Sequence, residues 1–219
     1  EANLSVGSTT INLNEGNPQT LTFSATVTGG IAAGTLYVQV TDQRGQTATG
    51  SFGVSASTNI TWSSNQSLSS DFTVAPGNTL TVNSGVTVTT TSNAKIIVQG
   101  TLNTSNATFN GVQVEVASSG TAIMNGTSIQ NNSGRDGLLI VGGSANVTGG
   151  TISGNDRGVN VSSGSLTMSG TSVSGNTLAG IEATGSGSAS LSSVNATGNG
   201  RGLVSTSTGS VSITGGSYS

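Results

Sequence analysis

A glycine followed by an apolar residue returns at Gly137, Gly158, Gly180 and Gly202, at intervals of 21, 22 and 22 residues. A fixed period of this length marks a stacked-repeat chain, in which one unit cannot bury its own apolar side chains and needs the next one to do so. The segments opening at these glycines read Gly137-Leu-Leu-Ile, Gly158-Val-Asn-Val, Gly180-Ile-Glu-Ala and Gly202-Leu-Val-Ser. Each is too short for a helix and alternates as a strand does.

Two further columns of short segments complete the period. One holds Ala122-Ile-Met, Ala145-Asn-Val, Leu166-Thr-Met, Ala189-Ser-Leu and Val211-Ser-Ile. The other holds single apolar anchors at Phe109, Ile129, Ile152, Val173 and Val194, and an Asn follows each of the last four, at Asn132, Asn155, Asn176 and Asn199. Three short strands per period describe a triangular coil, and successive coils stack at about 4.8 Å. Leu138/Val159/Ile181/Leu203, Ala122/Ala145/Leu166/Ala189/Val211 and Met124/Val147/Met168/Leu191/Ile213 are then the inward columns. The recurring Asn residues are expected to stack as a hydrogen-bonded ladder at a turn, with the recurring Gly supplying the corner. The alternation extends upstream through Leu80, Val82, Val86, Val88, Ile96, Val98 and Leu102, where the Asn-containing loop is lacking.

These N-x-x-G-I/V-x-V steps, clearest at Asn155-Asp-Arg-Gly-Val-Asn-Val161, resemble the right-handed parallel β-helix proteins: pectin-lyase-like proteins, NosD-like repeats and surface adhesins of bacteria or archaea. Trp62 and the run Asp71-Phe-Thr-Val-Ala-Pro-Gly-Asn-Thr-Leu-Thr-Val82 look like the opening coils of such proteins. The resemblance implies an all-β fold with a β-helix over residues 58–219. Residues 1–57 have another texture. Runs at Thr9–Leu13, Leu21–Val27, Leu36–Val40 and Phe52–Ala56 alternate, and Thr41-Asp-Gln-Arg-Gly45 is a turn between two of them. The segment Tyr37-Val-Gln-Val-Thr-Asp42 with Gly50-Ser-Phe-Gly-Val54 resembles an immunoglobulin-like surface module. A full sandwich of that type has about seven strands in about 100 residues. The small domain therefore either caps the first coil or borrows a strand from a neighbour.

Composition narrows the chemistry. The chain has no Cys and no His, so disulfides, thiolate metal sites and the commonest catalytic base are all excluded. Charged residues are 6% of the 219 and the net charge is −3, which excludes an electrostatic nucleic-acid binder. The longest apolar runs, such as Leu138–Val141, are far too short to enter a membrane as a helix. No cofactor is expected. A near-neutral coat of Ser, Thr, Asn and Gly suits an extracellular or cell-surface protein.

Candidate sites are few. On the outward side of the first column, Glu115, Leu139, Asn160, Glu182 and Val204 share a row. Its two Glu residues stand three coils apart, roughly 14 Å, too far for paired-carboxylate hydrolysis at about 5–9.5 Å. No cluster of Asp with a Lys or Arg base is legible on a strand face. Arg135, Asp136, Asp156, Arg157 and Arg201 fall in the loop before the recurring Gly, where they form either a solvated stripe of mixed-sign pairs or a glycan-contact groove. The second column presents rows such as Ser165-x-Thr167-x-Ser169, a hydroxyl-rich face that is either a hydrated surface resisting aggregation or an array of the kind an ice-binding β-helix uses, although Ser lacks the Thr methyl and Asn breaks the rows. Leu203, Val211, Ile213 and Tyr218 form a last coil without a polar cap, a template for another chain.

The function expected from these features is structural rather than enzymatic: a subunit or segment of a surface filament, fibre or adhesin stalk that joins copies of itself head to tail, with surface glycans as further partners. The alternatives are a carbohydrate-active or carbohydrate-binding pectin-lyase-like β-helix and an ice-binding β-helix.

Overall fold

The computed structural model describes residues 59–219 throughout and, before them, the backbones of the strands Asn3–Ser5, Thr26–Thr28, Gly34–Thr41 and Thr47–Val54. The chain divides into two compact units, Glu1–Thr58 and Asn59–Ser219. In the first, Gly34–Thr41 and Thr47–Val54 pair antiparallel, with Thr41 opposite Thr47, while the expected turn at Thr41–Gly45 lies, past Thr41, outside the described residues. Asn3–Ser5 pairs antiparallel with Thr26–Thr28. The expected strand at Thr9–Leu13 and most of that at Leu21–Val27 lie outside the described residues, as does the question of a full sandwich.

The second unit is a parallel β-solenoid of about seven coils with about 22 residues in each. Its first column runs from Phe72–Val74 through Lys95–Val98, Gln113–Val116 and Ala179–Ala183 to Leu203–Ser205. Its second runs from Asn59–Trp62 through Thr79–Val82, Thr101–Ser105, Thr121–Asn125 and Ser188–Ser192 to Val211–Thr214. In mid-stack, Leu138–Thr148 and Arg157–Ser169 are continuous strands that serve both columns, bending where their register shifts near Val141. The third column runs from Gln66–Leu68 to Ser217–Tyr218. Every pairing in this unit is parallel.

The period-2 alternation of the sequence sets the burial. Thr121–Asn125 reads intermediate, buried, exposed, buried, exposed, and its inward Ala122 and Met124 are fully enclosed. The inward columns Leu138/Val159/Ile181/Leu203 and Met124/Val147/Met168/Leu191/Ile213 pair in that register. Trp62 and Phe72 meet edge to face at 4.9 Å in the first coil and fill its interior.

One column differs from the sequence reading. Phe109, Ile129, Ile152 and Val173 align, but the next residue in register is Ala196, not Val194, and Tyr218 follows it. Val194 is buried as well, one pleat earlier in the turn. Ala196 lies three residues before Asn199, the same interval that separates Ile129 from Asn132 and Ile152 from Asn155.

Candidate functional site

Two arrangements on the solenoid are built from the residues singled out above: a corner between the third and first columns, and the outer face of the first column.

At the corner, Asn132 Nδ2 donates to Asn155 Oδ1 at 2.9 Å, Asn155 Nδ2 to Asn176 Oδ1 at 2.9 Å, and Asn176 Nδ2 to Asn199 Oδ1 at 2.8 Å. The same oxygens accept the backbone N–H of Asn132, Asn155 and Asn176. Asn132, Asn155 and Asn176 are buried, so each amide replaces water that the turn has shed. The ladder stops at Asn132, whose Oδ1 is buried without a partner. The corresponding place one coil earlier holds Val112, which has no side-chain donor to offer.

The recurring glycines serve this ladder in a way that differs from a corner. The left-handed backbone sits just before each Asn, at Asn131, Gly154, Gly175 and Gly198, with φ between 61° and 69°. Gly137, Gly158 and Gly180 instead make room. A Cβ on Gly158 would stand 2.6 Å from the carbonyl oxygen of Gly180 and 2.9 Å from Asn176 Nδ2, and one on Gly180 would stand 2.7 Å from Asn199 Nδ2. Asn155, Asn176 and Asn199 therefore each lie over the bare Gly of the coil before.

The first-column face gathers charges that the sequence reading had spread between a strand row and a loop. Lys95 Nζ meets Glu115 Oε2 at 2.6 Å. Arg157 bonds Glu182 through Nε and reaches Asp136 Oδ1 at 3.4 Å. Asn160 Nδ2 donates to Asp136 Oδ2 at 2.9 Å. Arg135 donates to Gln113 Oε1 at 2.9 Å and to the carbonyl of Asn93. Asp136 reaches this face from the loop before Gly137, and Arg157 stands on it as the first residue of its strand. The side chain of Asp136 keeps 12% of its exposure and that of Arg157 33%, so this is no freely solvated stripe. Burial by itself would lower the Arg157 pKa, but the hydrogen bonds and charges of Glu182 and Asp136 outweigh it and hold the guanidinium above its ordinary value.

The other two residues of the expected stripe lie elsewhere. Asp156 Oδ1 accepts the backbone N–H of Gly134 at 3.1 Å, and Arg201 is exposed, its carbonyl accepting from Gly180 N–H. Glu115 and Glu182 share their row three steps apart, through Leu139 and Asn160. At the last coil, Leu203, Val211 and Tyr218 pack against the core while partly uncovered, and Ile213 is 49% exposed. Tyr218 hydroxyl is buried without a hydrogen-bond partner, and burial raises its pKa. Among the described residues no three or more Asp or Glu group as metal ligands, and no helix is long and apolar enough to cross a membrane.

No family model, no curated protein and no solved structure matches the chain. Fold and face together define a parallel β-solenoid.

Proposed function

We propose that the chain is a structural segment of an extracellular fibre, surface filament or adhesin stalk, with a right-handed solenoid as its rod and an immunoglobulin-like module at residues 1–57. One observation carries this reading: the ion pairs of the first-column face run along the rod axis. Lys95 and Glu115 belong to neighbouring coils, and Arg157 holds Asp136 of the coil before and Glu182 of the coil after. Charges committed in this way tie coils to each other rather than wait for a substrate. A carbohydrate-active site on this face would need Glu115 released from Lys95, or Asp136 or Glu182 released from Arg157. Partly exposed pairs contribute modestly one by one, and gain weight as a network along one line.

Copies join head to tail in this proposal. The partly uncovered side chains of Leu203, Val211, Ile213 and Tyr218 meet residues 1–60 of the next copy in this reading, a heterologous contact that propagates as a filament. Surface glycans are the external partner, met by the neutral polar coat. The test is sedimentation with negative-stain imaging over a concentration series. Lengthening particles that Ile213→Arg shortens support the reading. Single particles at every concentration overturn it.

A further inference from the structure

Between residues 59 and 219 the charged residues are Asp71, Lys95, Glu115, Arg135, Asp136, Asp156, Arg157, Glu182 and Arg201. Every one lies on a first-column strand or in the turn that leads into one. The outer face of the second column carries none over all eight of its strands. Charges are the usual guard of a flat sheet surface against association, and here they are confined to one side of the triangle.

The uncharged face is regular in two directions. Side chains repeat at about 4.8 Å from coil to coil and at about 6.6 Å along each strand. Its middle row aligns Thr81, Asn103, Ile123, Asn146 and Thr167. In this row of hydroxyls and amides, Ile123 stands 38% exposed. Beside it lies a shallow open depression bounded by Thr81, Asn83, Asn103, Ser105 and Ile123 itself. Knob and hollow on one surface are the elements of a self-complementary, two-fold contact.

We infer that two copies pair side by side through this face, each Ile123 seated in the partner's depression. A second copy is the occupant whose own repeat matches the 4.8 Å spacing row for row, so that hydroxyl rows interleave along the whole length as in a dry zipper. A neutral face sets no charge requirement that an identical neutral face fails to meet. The footprint is about 34 by 13 Å, roughly 900 Å² counted over both copies, which places the pair in the weak, concentration-dependent class. The contact is lateral and goes beyond end-to-end joining: it would bundle rods that the last coil lengthens.

Sedimentation of the full chain tests it in the Ile213→Arg background, where end joining is removed. A dimer is expected there, and adding Ile123→Arg should weaken it at least tenfold, while Ser172→Arg on the third-column face should leave it unchanged. Because the chain has no Cys, a mixture of Ile123→Cys and Ser105→Cys copies should cross-link under mild oxidation, and Ile123→Cys with Ser172→Cys should not. A monomer at all concentrations in the Ile213→Arg background, or a dimer indifferent to Ile123→Arg, overturns lateral pairing. The fibre reading fails separately, when wild-type particles never lengthen.

Discussion

The corner between the third and first columns is built in two ways along the same rod. In the later coils a buried Asn sits over a bare Gly, as Asn176 does over Gly158. In the coil of Phe109 the same corner holds Val112 and the side chain of Gln113, both buried. The later version satisfies its turn with side-chain amides that reach between coils. The earlier one fills the space with a methyl-bearing side chain and uses Gln113 Nε2 to cap the carbonyl of Asp136 at 3.1 Å. Both corners reach into the next coil, but only the Asn amides repeat from rung to rung. The seam between the two types leaves Asn132 Oδ1 unpaired.

The contrast can be broken hardest at the glycine. Gly158→Ala should destabilise the solenoid by about 3 kcal/mol, the upper end of overpacking costs, because its methyl group meets the Gly180 carbonyl and Val173 as well as the Asn. Gln113→Ala, at the equivalent place in the earlier corner, should cost less, and denaturant unfolding of the two variants measures the gap. Next comes the rung. Asn155→Ala leaves both the backbone N–H and the side-chain amide of Asn132 without an acceptor, an expected loss of about 2 kcal/mol. An unchanged unfolding midpoint would mean that water replaces the rung at no cost.

A gentler test extends the ladder instead of cutting it. Val112→Asn would offer Asn132 Oδ1 a donor, so it should cost about 1 kcal/mol less than Val114→Asn, whose strand position faces the apolar interior. Equal losses would show that the orphaned oxygen is indifferent to a partner. The smallest effect is expected in the last coil, where the backbone of Tyr218 and Ser219 takes the place over Gly202 that Asn residues take over the earlier glycines. With its phenol pKa raised by burial, Tyr218 holds its proton more tightly folded than unfolded. Its contribution is therefore complete below the ordinary phenol range and is lost as pH rises through the raised value. Tyr218→Phe should leave neutral-pH stability unchanged or slightly higher, since the hydroxyl has no partner to lose, and should lessen the loss of stability at alkaline pH.

The coil and its inward columns were legible because alternation and period are both written in apolar residues, which burial selects directly. The third column slipped by two residues at its end because Val194 is the larger apolar side chain, while Ala196 has the correct distance to Asn199. The role of the recurring glycines was misassigned for a different reason. Each later corner holds at least two glycines, as in Gly154-Asn-Asp-Arg-Gly158. The sequence does not say which bends the chain and which clears space for a neighbour 18 residues further on. Least visible was the charged face. Lys95, Glu115 and Glu182 lie on strands and could be placed, but Asp136 lies in, and Arg157 directly after, a loop whose length varies between coils, and the direction in which such side chains fold depends on the partners already waiting on the strands.

The amides of the corner all point one way. In each rung the oxygen faces the N-terminal end of the rod and the N–H faces the next coil, so the bonds line up head to tail from Asn132 to Asn199. Aligned peptide groups in a helix add up to a dipole with partial charges at its ends, and a column of side-chain amides does the same on a smaller scale. The solenoid thus has an electrical polarity written into its interior, with its unpaired negative pole at Asn132 Oδ1, set by the amides themselves and screened less by salt than the ions on its surface are.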